Sequence, residues 1–245
     1  MGGATCRTDA QLRVMRGHVS RASRIDKCIS GRCDGKSSQI LPVRDGKPRL
    51  GPRDDGPFVT KDRVLVGQWG MIRPGSPDRV QRAPAKDGKP GTPMSTNNAR
   101  VERIASAPTF RAAWKNGDRC LIPAITFDEH YWGTGKNIWW RFARADGEAS
   151  AIAGLWSEWT DQTTGEVVPN FTMITMNADE HPLFRLMHRL EKEKRTVVPL
   201  DRVDWDMWLN GSIDDAMSLI QLPSLHLFKH GAADPAKQLK LSIDS

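Results

Sequence analysis

The sequence lacks any apolar run near the roughly 20 residues that a membrane-spanning helix needs, although 38% of its 245 residues are hydrophobic. No apolar stretch follows the charged residues near its start, so we expect no secretory signal. Cysteine is scarce, with four residues at irregular spacing: Cys6, Cys28, Cys33 and Cys120. A chain of this length does not need disulfides for stability, so we expect reduced thiols, a cytoplasmic location and no membrane association.

Aromatic residues are absent from residues 1–55, which also hold +6 of the formal net charge of +7. This composition predicts a divergent, basic and poorly ordered N-terminal segment over 1–55, with a short helix around Ala10–Met15. We expect one ordered domain over 56–223 and a C-terminal tail over 224–245. Because this ordered part is nearly neutral, any DNA binding by it would need a local basic patch.

The sequence has no internal repeat and no glycine-rich phosphate loop, but it has a series of strand-like segments rich in β-branched and aromatic residues. These are Val64–Ile72, Arg119–Phe127, Ile138–Arg144, Ala151–Trp159, Asn170–Met176 and Thr196–Leu200. Helical patterns occur at Ala107–Lys115, Val203–Leu209 and Ile213–Leu219, and residues 73–97 predict a long loop. Uneven strands with few, late helices indicate the α+β class.

Three polar residues interrupt these apolar surroundings, namely Asn98, Glu129 and His188. An amide, a carboxylate and an imidazole can together orient a substrate and move protons. Taken singly, a glutamate after a strand is usually solvated and a single histidine is usually structural, so the three residue types alone do not define a site.

Seven short motifs give these residues a common context. They are Gln68–Ile72, Asn97–Glu102, Arg119–Glu129, Ala153–Trp156, Phe171–Thr175, Asn177–Ala178 with Met187–His188, and Glu193–Pro199. From Pro57 to Pro223, their order and spacing resemble the SRAP (SOS-response-associated peptidase) family. The sequence around Trp139-Trp140 and Asp128-Glu129 is most similar to phage-associated members, which implies a bacterial or phage-encoded protein.

The resemblance implies a mostly antiparallel, barrel-like β core with a few peripheral helices. It also implies recognition of abasic sites in single-stranded DNA during the SOS response, by a monomer without cofactor or metal. In such proteins an N-terminal cysteine forms a thiazolidine crosslink with the opened sugar, and a Schiff base gives strand-cleaving lyase activity. The family name also implies a peptidase activity. Carried over by motif, Asn98 orients the sugar, Glu129 is the acid/base, and His188 shuttles a proton.

DNA contacts are expected close to these residues. Arg100 follows Asn98 by two residues, so on an extended segment both side chains point the same way, and Arg100 could hold a phosphate. Trp69 is either a base-stacking platform or a buried strand aromatic. Arg185 and Arg189 flank His188 and either contact phosphates or form ordinary surface charge.

The start of the sequence departs from the family, because Met1 is followed by Gly2 rather than cysteine. A thiazolidine needs an amine and a thiol on one residue, so an internal Cys6 cannot close that ring. Either the first 55 residues are an altered start on an intact domain, or the chain is a natural variant without the crosslinking step. The alternative function is therefore a non-covalent binder of single-stranded or abasic DNA.

Smaller departures surround Glu129. Thr126, Asp128 and His130 stand where family members usually have glycine, an aromatic residue and tryptophan, and Trp132 is a candidate replacement for the last. Asp128 lies on the opposite face of an extended segment, so we expect that it need not raise the pKa of Glu129.

Two other functions deserve comparison with these. Cys120 with His188 could form a thiol-protease pair, but Cys120 lies in an apolar run typical of a buried cysteine. Cys28 and Cys33 with His18 could bind zinc, but they give only three ligands at irregular spacing.

Overall fold

The computed structural model describes residues 50–234 and the short strand Gln11–Arg13. The strands are β1 (Gln11–Arg13), β2 (Asp55–Val59), β3 (Val64–Trp69), β4 (Asn98–Arg100), β5 (Arg119–Ala124), β6 (Thr126–Tyr131), β7 (Ile138–Arg144), β8 (Ser150–Thr160), β9 (Val167–Asn177), β10 (Arg195–Val197), β11 (Pro199–Leu200) and β12 (Phe228–Ala232). The α-helices are α1 (Arg111–Asn116), α2 (Trp205–Asn210) and α3 (Ile213–Ser218).

Five strands close into a barrel in the order β9-β3-β2-β5-β8 and back to β9. The β3–β9 pair is parallel, with Gln68 opposite Asn170, and the other four pairs of the ring are antiparallel. At the closing pair, a Cβ on Gly67 would overlap the carbonyl oxygen of Pro169, so only glycine allows this approach. The structure confirms the expected α+β fold with a barrel-like core and few helices.

Both faces of the barrel wall are buried, which explains the continuous apolar run in β8. Ile152 packs with Ile122 in one core cluster, whereas the alternate residues Ala153 and Leu155 belong to a second cluster. The second cluster includes residues of the helices, such as Trp208, whose indole nitrogen donates a hydrogen bond to the carbonyl oxygen of Cys120 at 3.0 Å. The α1 and α2 helices therefore cover the outer side of β5 and β8.

A second, antiparallel sheet has the order β1-β6-β7-β12. Its inner face carries an aromatic cluster in which the rings of Phe127 and Phe142 stack at 4.9 Å and Phe228 meets Phe127 edge-on at 5.3 Å. These rings share a core cluster with the barrel residues Trp69 and Phe171, so the two sheets have a common core.

Several predicted boundaries change. Gln11–Arg13 is a strand, not part of the predicted helix, because its backbone pairs with β6. The stretch 224–245, predicted as a tail, contains β12, which pairs with β7 over five residues. Residues 1–10, 14–49 and 235–245 lie outside the described residues, and with them most of the segment predicted to be poorly ordered. The division into domains stays a prediction.

Within the described residues, no helix is long and apolar enough to cross a membrane.

Candidate active site

Glu129 is a buried carboxyl group on the inner face of the second sheet. It lies opposite Trp140 in the β6–β7 register, and its neighbours on the same face of β6 are Phe127 and Tyr131. Burial among these aromatic residues raises the pKa of Glu129 to about 8, because the ionised form loses its hydration. At neutral pH this carboxyl group is therefore protonated and can act as an acid.

Asp128 points to the opposite face, as expected, where both of its carboxylate oxygens accept hydrogen bonds from Arg141 at 2.7 Å. The expectation that Asp128 need not raise the pKa of Glu129 is nevertheless wrong. After burial, the negative charge of Asp128 is the second cause that raises the pKa of Glu129.

His188 is brought to Glu129 by a short antiparallel contact rather than by a regular strand. Met187 forms a bridge with Tyr131, and the backbone N–H of His188 donates to the carbonyl oxygen of His130 at 2.6 Å. The backbone of His188 has a φ of 59°, in the left-handed region that non-glycine residues seldom adopt. Such a conformation persists only where surrounding contacts impose it.

Lys194 supplies part of that constraint. Its ammonium donates hydrogen bonds to the carbonyl oxygen of His188, at 3.2 Å, and to that of Arg189. The side chain is buried, and this burial lowers the pKa of Lys194. Lys194 therefore holds the two consecutive carbonyl groups of His188 and Arg189 from inside the protein.

Glu129 and His188 meet at 3.5 Å between Oε2 and Nε2, and both side chains are almost fully buried. Burial, followed by the nearby His130 and Lys194, lowers the pKa of His188 to about 4. Between about pH 4 and pH 8 the two residues, hereafter the acid–base pair, thus carry a total of one titratable proton. Burial favours its placement on the carboxyl group, which leaves the imidazole neutral and able to accept a proton.

Asn98 and Arg100 lie at the two ends of β4, which pairs in parallel with β9. Ala99 between them is fully buried, whereas Asn98 is half-buried and Arg100 is exposed. This alternation agrees with the expectation that both side chains face the same way. The Nη1 atom of Arg100 donates to Oε2 of Glu193 at 2.7 Å.

A pocket of about 220 Å³ opens beside Asn98, and part of its wall is formed by the preceding residue, Asn97. The lining residues are Pro52, Arg53, Trp69, Gly70, Pro93, Met94, Ser95, Thr96, Asn97 and Trp139. Trp139 belongs to β7, which pairs with the strand that carries Glu129, whereas the lining residue Asn97 immediately precedes β4.

The sequence pattern of the family described as SOS response associated peptidase (SRAP) matches residues 49–231 of the chain. The chain belongs to the SRAP family. Family membership associates this protein with the SOS response and with abasic-site DNA damage, and it implies association with DNA. Asn98, Glu129 and His188 all lie within the matched residues.

Solved structures agree with this SRAP fold. A protein from Bordetella bronchiseptica is 31% identical with a TM-score of 0.73, and the match covers 92% of this chain and 99% of that one. A protein from Bacteroides thetaiotaomicron is 19% identical with a TM-score of 0.67, with 91% of each chain covered. A phage-related protein from B. bronchiseptica is 14% identical with a TM-score of 0.58, covering 93% of this chain and 94% of that one. The last two show the fold alone, and no curated protein matches the chain.

Trp69 has no exposed ring face in the SRAP domain. Its indole nitrogen donates to the carbonyl oxygen of Asn97 at 3.0 Å, and the side chain is fully buried in the core. The buried-aromatic alternative therefore applies, and the base-stacking interpretation is corrected. Burial of the ring and its hydrogen bond with Asn97 instead fix the backbone just before Asn98.

Arg185 and Arg189 are both exposed beside the His188 turn. The guanidinium of Arg189 lies 5.0 Å from the ring centre of Trp132, an arrangement that stabilises a cation over an aromatic face. Their roles as phosphate ligands or as surface charge stay open predictions.

Cys120 does not pair with His188 as a protease nucleophile. The thiol is fully buried in the barrel wall, and burial raises the pKa of Cys120 well above its usual value, which disfavours the reactive thiolate. Cys6, Cys28, Cys33 and His18 lie outside the described residues. Residues 11–13 and 50–234 contain no group of three histidine, cysteine or acidic side chains that could hold a metal.

Sequence reasoning missed three contributors to this site, namely Lys194, Glu193 and Trp139. Glu193 and Lys194 lie in the motif Glu193–Pro199, and Trp139 lies in the sequence that resembles phage-associated members. Only their contacts across the fold reveal what they touch. No sequence signal marks Lys194, since a lysine between charged residues predicts solvent exposure.

Proposed function

We propose that this protein recognises abasic sites in single-stranded DNA and performs acid–base chemistry on the abasic sugar. The observation that carries the proposal is the buried contact of Glu129 with His188 at 3.5 Å. A protonated carboxyl group beside a neutral imidazole offers a proton donor and a proton acceptor at the same pH. An opened abasic sugar needs both, since its aldehyde reacts with amines through proton transfers.

We assign separate tasks to two residues of β4. Asn98 offers an amide that can hydrogen-bond the sugar hydroxyl groups, and Arg100 presents an exposed guanidinium for a backbone phosphate. The pocket beside Asn98 gives room for a nucleotide next to the lesion. These positions rest on the family motif together with the alternation along β4.

Covalent capture would follow from the same site. An amine adds to the aldehyde carbon to form a carbinolamine, Glu129 donates a proton to the departing hydroxyl group, and water leaves as the imine forms. Thiazolidine closure requires that the amine belong to an N-terminal cysteine, whose thiol then adds to the imine carbon. With any other primary amine, β-elimination from the imine breaks the bond to the 3′ oxygen and cleaves the strand. Non-covalent binding of abasic DNA is the second candidate, because Asn98 and Arg100 can hydrogen-bond the sugar and a phosphate without a covalent step.

A denaturing gel of the full chain mixed with abasic single-stranded DNA tests the proposal. Covalent capture gives a shifted band, and lyase activity gives a shortened strand. Glu129→Gln should lower the rate of either product by about 10²- to 10⁴-fold, the usual range for a lost general acid or base. Glu158→Gln is the control, because Glu158 is an exposed carboxylate paired with Arg63 at 2.8 Å.

Binding by fluorescence anisotropy separates the two candidates. Retained preference for abasic over intact strands, without either covalent product, would select the non-covalent binder. Equal affinity for abasic and intact strands, together with no product, would refute recognition of the lesion.

A further inference from the structure

The guanidinium that the proposed function offers to DNA is already engaged by a carboxylate of this chain. Arg100 donates from Nη1 to Oε2 of Glu193 at 2.7 Å, although the side chain of Arg100 is 54% exposed and that of Glu193 is 35% exposed. The two residues are 93 positions apart in sequence, so the contact is made by the fold and not by local chain geometry.

A buried arginine fixes Glu193 in this place. Arg195 donates to Oε1 of Glu193 at 2.5 Å and is itself only 5% exposed. Four further hydrogen bonds hold Arg195, two to the carboxylate of Glu102 at 3.1 and 3.0 Å and two to Thr175 at 3.2 and 2.7 Å. Glu193 is thus anchored through one oxygen, while its other oxygen is presented to Arg100.

We propose that Glu193 occupies the position of a DNA phosphate on Arg100, so that the DNA backbone must displace this carboxylate in order to bind. Carboxylates and phosphates approach a guanidinium with the same planar hydrogen-bond geometry, so the two anions compete for the same donors. The inference rests on the proposed function, because it takes Arg100 as a phosphate ligand.

The Arg100–Glu193 ion pair is weak enough for a DNA phosphate to displace it. Exposed ion pairs contribute little to stability, so the Arg100–Glu193 pair opens readily when a phosphate arrives. The remaining carboxylate stays close through Arg195 and repels the phosphate, which lowers the affinity for backbone alone. Since backbone contacts carry no information about damage, Glu193 weakens the part of binding that does not depend on the lesion.

Glu193→Gln tests this inference in the full chain, because the amide oxygen of glutamine can still accept from Arg195 while the negative charge is removed. The dissociation constant for an undamaged single-stranded oligonucleotide should fall by about three- to tenfold at low salt. The gain should shrink at high salt, which screens exposed charges. Glu158→Gln is a matched control, because it removes the same charge from the exposed Arg63–Glu158 pair. That pair has a similar N–O distance, 2.8 Å, and does not involve Arg100.

A double-mutant cycle with Arg100→Gln identifies the route of the effect. If Glu193 acts through Arg100, then Glu193→Gln should change the DNA affinity of the Arg100→Gln variant by less than about twofold. A change of that size is within the usual error of additivity. Weaker binding by Glu193→Gln, an equal gain in Glu158→Gln, or an undiminished gain without Arg100 would each overturn the inference. If Arg100→Gln binds DNA as tightly as the unmodified chain, the role of Arg100 in the proposed function fails first, and the inference falls with it.

Discussion

Replacement of Glu129 by glutamine should make this protein more stable at alkaline pH, although it removes a residue of the proposed active site. In the folded protein the pKa of Glu129 is raised to about 8 from an ordinary value of 4.5. The folded carboxyl group therefore keeps its proton over a pH range in which the unfolded chain has lost it. Its contribution to stability is complete below about pH 4.5 and is lost progressively as the pH rises through 8.

The magnitude follows from the difference between these two pKa values. Each unit corresponds to about 1.4 kcal/mol, so the loss across the whole interval is on the order of 5 kcal/mol. Glutamine keeps the shape of the protonated carboxyl group but carries no charge at any pH. The free energy of unfolding of Glu129→Gln should thus be close to that of the unmodified chain at about pH 5 and exceed it by on the order of 4 kcal/mol at about pH 8.

Denaturant unfolding at intervals over this pH range measures the difference. His188, whose pKa is lowered to about 4, makes both proteins lose stability as the pH falls from about 6.5, so its effect largely cancels in the comparison. Glu158→Gln, at an exposed site, should show no such trend. The buried, protonated state of Glu129 would be refuted if the difference in free energy of unfolding between the two proteins stayed constant with pH. It would also be refuted if the unmodified chain became more stable relative to the variant as the pH rises.

Three further predictions follow from the site and the barrel. The rate of DNA processing should be level between about pH 4 and pH 8 and fall outside these limits, where the acid–base pair gains or loses its single proton, and a pH–rate profile measures this. Lys194→Met should destabilise the fold by about 1–3 kcal/mol in urea unfolding and slow DNA processing, because it leaves the carbonyl oxygen of His188 without its buried donor. An unchanged free energy of unfolding together with an unchanged rate would contradict this role of Lys194. Gly67→Ala should destabilise by about 1–3 kcal/mol or more through overlap with Pro169, whereas Gly51→Ala, with its nearest contact at 3.5 Å, should change thermal stability little.

The long strands could be predicted from the sequence because their composition alone favours extended structure. The prediction Ile138–Arg144 matches β7, and Ala151–Trp159 differs from β8 by one residue at each end. The turn between β8 and β9 contains Gly165, a turn-forming residue that adopts a φ of 73°. The helical pattern Ala107–Lys115 overlaps α1, which ends at Gly117 in the left-handed conformation with a φ of 74°.

The strands β1, β4 and β12 could not be predicted from the sequence, because they depend on distant partners. Each of β1 and β4 has three residues, too few for a period of two to be recognised, and each exists through pairing with β6 or β9. The β12 strand lies in a largely polar sequence, Phe228-Lys-His-Gly-Ala232, in which Phe228 is the only large apolar side chain. In such segments tertiary pairing, not intrinsic propensity, determines the structure.

For the candidate site, the residues could be named from motifs but their environment could not. Glu129 looks solvated beside Asp128 and His130, yet alternation from Phe127 to Tyr131 places it on the aromatic face of the sheet. That signal was present in the sequence and points to a buried carboxyl group. The contact with His188 and the left-handed backbone there depend on a pairing across some 60 residues, which no local pattern encodes.

Closure of the barrel through the parallel β3–β9 pair has a consequence for how the chain acquires its structure during synthesis. Gln68 and Asn170 are about 100 residues apart, so at translation rates of roughly 5–20 residues per second the edge of β3 waits roughly 5–20 s for its partner. An unpaired strand edge is a template for association with other chains. This protein should therefore be most prone to aggregation during synthesis, after β3 has been made and before β9 has. Chaperone binding should be strongest before β9 emerges from the ribosome.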